Sequence, residues 1–196
     1  ALVDNGAFLA GNYTLSVTKG DLTVTSGTFE VSLTDTSFTY DGTSHSATLN
    51  GTESGDVVTW FYKVGASWIS TGTTAPGVTN VSDGPLEIKA VVQREHYSDA
   101  TATATLTVTP QTLTVDASDR SIVYPATLPA TSTLLYTLGG GNVSGETPAY
   151  EGALGYKSGL ATQPTPGTYA DAIEKGTLAL VDNGAFLAGN YTLSVT

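Results

Sequence analysis

An internal repeat without a single mismatch constrains this chain more than any other feature. The eighteen residues ALVDNGAFLAGNYTLSVT begin at Ala1 and return unchanged at Ala179. The offset, 179 minus 1, is 178 residues, so the 196-residue chain is slightly longer than one period. Identity at a fixed period is typical of tandem repeat proteins, whose modules together set the length or valency of an array. We therefore expect the chain to be one window on a tandem array.

The composition favours β-structure over disorder. Charged residues make up only 13% of the chain, whereas Thr, Ser, Gly and Val are frequent, as in half-buried strands joined by tight turns. Ten tyrosines and two tryptophans supply material for small cores, which a disordered chain would lack. The chain contains no cysteine, so packing rather than disulfide bonds must hold its small modules together.

The net charge limits the partners that the chain can bind. At −11, it opposes binding to nucleic acid and to anionic membrane surfaces. No apolar run approaches the roughly 20 residues that a membrane-spanning helix needs. We therefore expect neither a nucleic-acid partner nor insertion into a membrane.

Alternating apolar and polar residues predict two small β-modules in tandem. The strongest strand signals lie at residues 57–64, 86–92 and 100–108, within a region of about seven short strands that reads as a sandwich over residues 28–110. A second β-module follows over residues 111–196. Its only stretch with helical character is at residues 169–175 (YADAIEK), so we expect an all-β chain with little helix.

Residues 1–27 are interpreted as the terminal strands of a preceding, truncated module. Alternation predicts strands at 13–18 and 21–25, joined by a tight turn. Residues 179–196 repeat the first of these strands but not the second, so we expect the second module to lack its last strand. A neighbouring copy would then complete it head to tail through the strand formed by Leu22, Thr23, Val24 and Thr25.

Trp68 is the single candidate for a ligand contact. Trp60 lies on the predicted central strand, where we expect it to pack into the core. Trp68 follows in a hairpin, where we expect its ring to be exposed. Because an exposed indole can stack on a sugar, a carbohydrate-binding site is an alternative function for this module.

Neither catalysis nor metal binding has a clear sequence signature. The two histidines, His45 and His96, lack metal-ligand spacing, and no serine stands in a nucleophile motif. We therefore expect no enzyme activity, no catalytic residue and no cofactor. Structural calcium remains an alternative to turn capping for the turn-located carboxylates of Asp35, Asp41, Asp56, Asp83, Asp116 and Asp119.

The second module resembles a known family through a series of short motifs. Gly145-Glu146-Thr147, Gly167-Thr168-Tyr169 and Gly189-Asn190-Tyr191 follow one another as in the MBG repeat modules of large bacterial surface adhesins. Tyr124-Pro125 stands where such modules usually carry Tyr-Gly. The first module, with Tyr40-Asp41-Gly42 and a closing LTVT, is similar to the small immunoglobulin-like repeats that accompany MBG modules.

This resemblance implies a fold, a location and a role. The fold would be an immunoglobulin-like sandwich followed by a β-grasp-like MBG module, and the location the surface or wall of a bacterial cell. The role would be an extracellular stalk or spacer that projects a binding region, with neighbouring repeats of the same chain as partners. The alternative is a module that binds a host glycan or protein, with avidity supplied by repetition.

Overall fold

The computed structural model describes residues 1–196 and confirms the predicted all-β class. The chain forms fourteen strands and four 3₁₀ helices of three residues each. None of these helical turns has the length and hydropathy that crossing a membrane would require. Every strand pair lies either before or after Pro110, so residues 28–110 and 111–196 are called the first and the second module below.

One five-stranded sheet dominates the first module. Its strands are β1 Thr36–Thr39, β2 His45–Ser46, β3 Val57–Val64, β4 Ser67–Gly72, β5 Gly77–Val78, β6 Leu86–Gln93 and β7 Ala100–Thr109. The sheet has the order β1-β7-β6-β3-β4, in which β1 runs parallel to β7 and the other pairs are antiparallel. Strands β2 and β5 form a separate ribbon.

Alternation along the long strands determines which face of this sheet is buried. In β7 the alanines, Leu106 and Val108 point into the core, while the threonines between them face outward. Trp60 of β3 lies opposite Ala90 of β6 and is 7% exposed. The prediction that Trp60 packs in the core is therefore confirmed, and so are the strong strand signals of β3, β6 and β7.

A bidentate ion pair joins the start of β3 to the end of β6. The guanidinium of Arg94 donates from Nε to Asp56 Oδ1 at 2.8 Å and from Nη2 to Asp56 Oδ2 at 2.9 Å. The same guanidinium lies 4.2 Å from the ring centroid of Phe29. The hydrogen bonds from Arg94 are the main reason why the pKa of Asp56 falls to about 2.

We predict that Asp56 makes the first module sensitive to acid. Its depressed pKa stabilises the folded state above the ordinary value of 3.8, and this stabilisation is lost as the pH falls from about 4 to about 2. Asp56→Asn should lower the urea midpoint at pH 7 and flatten its decline over that window. Both tryptophans lie in the first module, so their fluorescence reports its unfolding.

Asp21→Asn is the matched control, because Asp21 lies in exposed coil and makes no hydrogen bond. It should leave both the midpoint and its acid dependence unchanged. An equal acid dependence in wild type and Asp56→Asn would contradict the prediction.

The second module is built from a three-stranded sheet and two short ribbons. Its strands are β8 Gln111–Ala117, β9 Tyr136–Gly140, β10 Ala149–Glu151, β11 Gly155–Tyr156, β12 Ile173–Glu174, β13 Ala179–Val181 and β14 Tyr191–Val195. The sheet has the order β14-β8-β9, with β14 parallel to β8, while β10 pairs with β13 and β11 with β12. Leu113, Leu154, Leu178 and Phe186 are buried between these pieces.

The predicted helical stretch at 169–175 is wrong. Asp171 has a φ of +52°, which an α-helix does not allow, and β12 begins two residues later. The composition of this stretch suited a helix, but the chain there instead turns into β12, which pairs with β11.

The first half of the repeated sequence has the same structure in both copies. Asn5 bridges Phe8, and Asn183 bridges Phe186. In each copy an aspartate oxygen accepts a hydrogen bond from the alanine that begins a 3₁₀ helix, at 2.7 Å in the first copy and 2.8 Å in the second. This part of the repeat therefore folds through contacts within a few residues.

The second half of the repeat differs between the copies. Residues 191–195 form β14 because β8 offers a parallel partner, whereas residues 13–17 are exposed coil. The strands predicted at 13–18 and 21–25 are therefore absent from this chain, because a lone strand leaves its backbone groups without partners.

Candidate functional site

The two modules meet at a junction centred on Asn190. This residue ends the 3₁₀ helix Ala188–Asn190, which packs against the 3₁₀ helix Val81–Asp83 of the first module. Asn190 is only 2% exposed and is the one polar residue among the buried residues of the chain. Because a buried amide is costly unless its hydrogen bonds are satisfied, its partners determine how the modules fit together.

The oxygen and the nitrogen of the Asn190 side chain each form a hydrogen bond across the junction. Its Oδ1 accepts the backbone N–H of Val81 at 2.9 Å, and its Nδ2 donates to Asn80 Oδ1 at 2.8 Å. Asn80 is itself held by a capping box, in which Asp83 Oδ2 accepts the Asn80 N–H at 2.7 Å. The acceptor and the donor that receive Asn190 are thus positioned by the first module alone.

A carboxylate joins two tyrosines on another side of the junction. Glu146 accepts hydrogen bonds from the hydroxyls of Tyr40, in the first module, and Tyr191, in the second, the latter at 2.7 Å. The Tyr191 hydroxyl also accepts the Val143 N–H at 3.0 Å. The two rings meet edge to face, with centroids 5.4 Å apart. Apolar and charge-assisted contacts therefore act together here.

Gly42 leaves room for the side chain of Val143 from the second module. It has a φ of +77°, and a Cβ at this position would lie 2.7 Å from Cγ1 of Val143. Any other residue would therefore push the Val143 loop away and strain the backbone as well. The Tyr40-Asp41-Gly42 turn is shaped to receive the second module.

Burial raises the pKa values of both junction tyrosines. For Tyr191 burial is the largest cause, and the hydrogen bond and negative charge of Glu146 raise its pKa further, well above its ordinary value. Tyr40 is raised by burial and then by the same carboxylate. The junction therefore requires both hydroxyls in their neutral, proton-donating form.

The junction residues were not predicted as a site. Their pairs join positions more than 100 residues apart in the sequence, so no local pattern brings them together. The one available signal was the Gly-Asn-Tyr motif, which occurs in both copies of the repeat and contains Asn190 and Tyr191.

The structure places Trp68 beneath two lysines. It lies on β4, is half-buried, and has the ammonium groups of Lys89 and Lys63 at 4.7 and 5.8 Å from its ring centroid. Lys63 also bonds Glu87 at 2.6 Å. The indole is thus part of a mixed aromatic and charged surface rather than a bare stacking platform, and a ligand contact at Trp68 stays a prediction.

No group of three or more histidine, aspartate or glutamate side chains is close enough to hold a metal ion. Asp41 instead accepts bonds from Thr43 and lies 3.0 Å from His45, and these contacts lower its pKa to about 2. Structural calcium stays a prediction. His96 is exposed and lies beside Glu95.

A cleft of about 860 Å³ opens in the second module, away from the junction. Its wall contains Tyr124, Tyr156, Tyr169, Arg120 and Asp171. This combination of aromatic rings and charges makes the cleft the second candidate site.

Comparison with known proteins found no family model, no curated protein and no solved structure that matches this chain. The MBG and immunoglobulin-like assignments of the two modules therefore stay predictions from the residue motifs. The geometry of the junction and of the cleft is the basis for the proposals below.

We predict that Asn190→Ala weakens the junction. The substitution removes the acceptor of the Val81 N–H and the donor to Asn80 Oδ1, which should lower the free energy of unfolding by about 1–3 kcal/mol. Urea unfolding followed by circular dichroism measures this loss.

Asn12→Ala provides a closely matched control. Asn12 has the same neighbours in sequence and the same local structure, but it is exposed. Its substitution should leave the free energy of unfolding within error of wild type. Equal losses in the two variants would mean that Asn190 acts locally and not across the junction.

We also predict that the junction loses stability at alkaline pH. A tyrosine whose pKa is raised by folding stabilises the folded state below its ordinary value of 10, and this stabilisation declines as the pH rises above 10. Tyr191→Phe should lower stability at pH 8 and reduce the further loss between pH 8 and about 11. Urea midpoints across this range measure both effects, and Tyr13→Phe, in exposed coil, should behave like wild type.

Proposed function

We propose that this chain is a tandem-repeat unit of an extracellular bacterial surface adhesin, serving as a stalk or spacer that projects a binding region from the cell. The proposal assigns it no catalytic role and no cofactor. The observation that carries it is the junction of Asn190, which uses a buried amide to lock one module onto the next. A spacer needs such a junction because flexible links would shorten its reach.

The position of Asn190 within the repeat extends this reasoning to an array. The residue lies in the eighteen-residue sequence, so each period carries its own copy. In the first copy Asn12 already has the local geometry of Asn190, including the 3₁₀ helix that presents it. Each second module of an array would thus carry the same contact with the first module before it.

The course of the chain through the first module also suits a spacer. Its first and last strands, β1 and β7, run parallel. Parallel strands begin at the same end, so the chain enters this module at one end and leaves it at the other. The second module follows at that other end, so two modules of about 90 residues would add at least ~60 Å for each period.

Small-angle X-ray scattering on one, two and three repeats tests the spacer. We predict that the maximum dimension grows linearly, by about 60 Å or more per repeat. Asn190→Ala in every repeat should reduce this growth. Growth closer to the square root of the repeat number would show flexible links and contradict the proposal.

The cleft in the second module supports one alternative, a module that binds a host glycan or protein in many copies. Its tyrosines supply rings that can stack on sugars, and Arg120 and Asp171 supply charged groups that can bind polar parts of a ligand. If the scattering experiment shows that the links between repeats are flexible, this alternative is favoured. Flexible links let several weak sites reach their targets at once, which raises the avidity.

A further inference from the structure

The sheet of the second module has two edge strands, β9 and β14, and this inference concerns the edge at β14. Strand β14 pairs only with β8. Thr196 donates to Val115 O at 3.0 Å and accepts from the Ala117 N–H at 2.8 Å, so its backbone faces β8. Because backbone groups alternate along a strand, the N–H and C=O groups of Leu193 and Val195 point away from β8. An exposed row of this kind is a template for another strand.

A matching segment lies elsewhere in the same chain. After the first copy of the repeated sequence come Lys-Gly-Asp-Leu-Thr-Val-Thr, at residues 19–25. These residues are coil, with Leu22 90% and Val24 83% exposed. The same four letters, LTVT, form the end of β7, where Leu106 and Val108 are buried. This short sequence thus becomes a strand where a partner and a core are available.

We propose that residues 19–25 of a second copy of the chain add to β14 as an antiparallel strand. In a tandem array the same residues would follow Thr196 directly, and the pairing would be a hairpin within the array. The sheet would then have four strands, in the order residues 19–25, β14, β8 and β9. It would convert the open edge into an internal strand pair.

Two independent requirements select the same register. The outward backbone groups belong to Leu193 and Val195, so these residues must form the hydrogen-bonded pairs. Placing Leu22 opposite Val195 and Val24 opposite Leu193 puts all four apolar side chains on the core face of the sheet. A shift of one residue would turn Leu22 and Val24 outward.

The length of the connection is consistent with this register. When the segment follows Thr196 in an array, four residues lie between the strands, namely Thr, Lys, Gly and Asp. Four-residue hairpin loops are common and are built around a type I turn. Thr196 can therefore keep its two bonds to β8 while the chain turns back.

This inference shares the tandem arrangement with the proposed function, but it concerns one edge and one segment. Its test is separate from the scattering experiment. If the segment fails to pair while the maximum dimension still grows linearly, the spacer role stands and the strand addition is wrong.

Hydrogen exchange on the full chain with Lys-Gly-Asp-Leu-Thr-Val-Thr appended after Thr196 tests the pairing. We expect the amides of Leu193 and Val195 to exchange at least about tenfold more slowly than in the original chain. The amide of Ser194 faces β8 already and should change less. The control carries Lys in place of Leu and Val in the appended segment and should exchange like the original chain. Equal exchange at Leu193 and Val195 with both segments would overturn the proposal.

Sedimentation velocity on the original chain tests pairing between copies. We expect the sedimentation coefficient to rise with protein concentration, and Leu22→Lys with Val24→Lys to abolish the rise. Val3→Lys, at another exposed apolar residue, should leave it intact. A chain that stays monomeric, or association that survives the double substitution, would overturn pairing between copies.

Discussion

The arrangement of the two modules depends on one buried amide. Asn190 bonds a backbone N–H and a side-chain oxygen of the first module, and both partners are held by their own 3₁₀ helix and cap. An apolar contact of the same size would tolerate small rotations, because it has no direction. An amide that loses its partners on burial is destabilised by any such rotation, so this contact defines an orientation as well as an attachment.

The contacts around Asn190 also attach and orient the two modules, but through other interactions. Tyr40 and Tyr191 supply apolar area, and Glu146 accepts a hydrogen bond from each hydroxyl. Gly42 allows the backbone to come close enough for these contacts to form. The junction thus combines burial with directional bonds, and its donors and acceptors come from both modules.

The repeated eighteen residues separate what local sequence determines from what it does not. The turn and the 3₁₀ helix at Ala10–Asn12 recur at Ala188–Asn190 because their bonds reach only six residues. The strand that follows forms only beside β8. Long strands such as β6 and β7 were predictable because their alternation continues over many residues. The junction was not, because its partners meet only after both modules have folded.

The parallel pairing of its first and last strands determines how the first module responds when its two ends are pulled apart. Tension along the chain would slide β1 past β7 in shear. The hydrogen bonds of such a pair share the load and must break together, whereas strands pulled from one end open one bond at a time. A module with this topology is suited to bearing mechanical force along the chain.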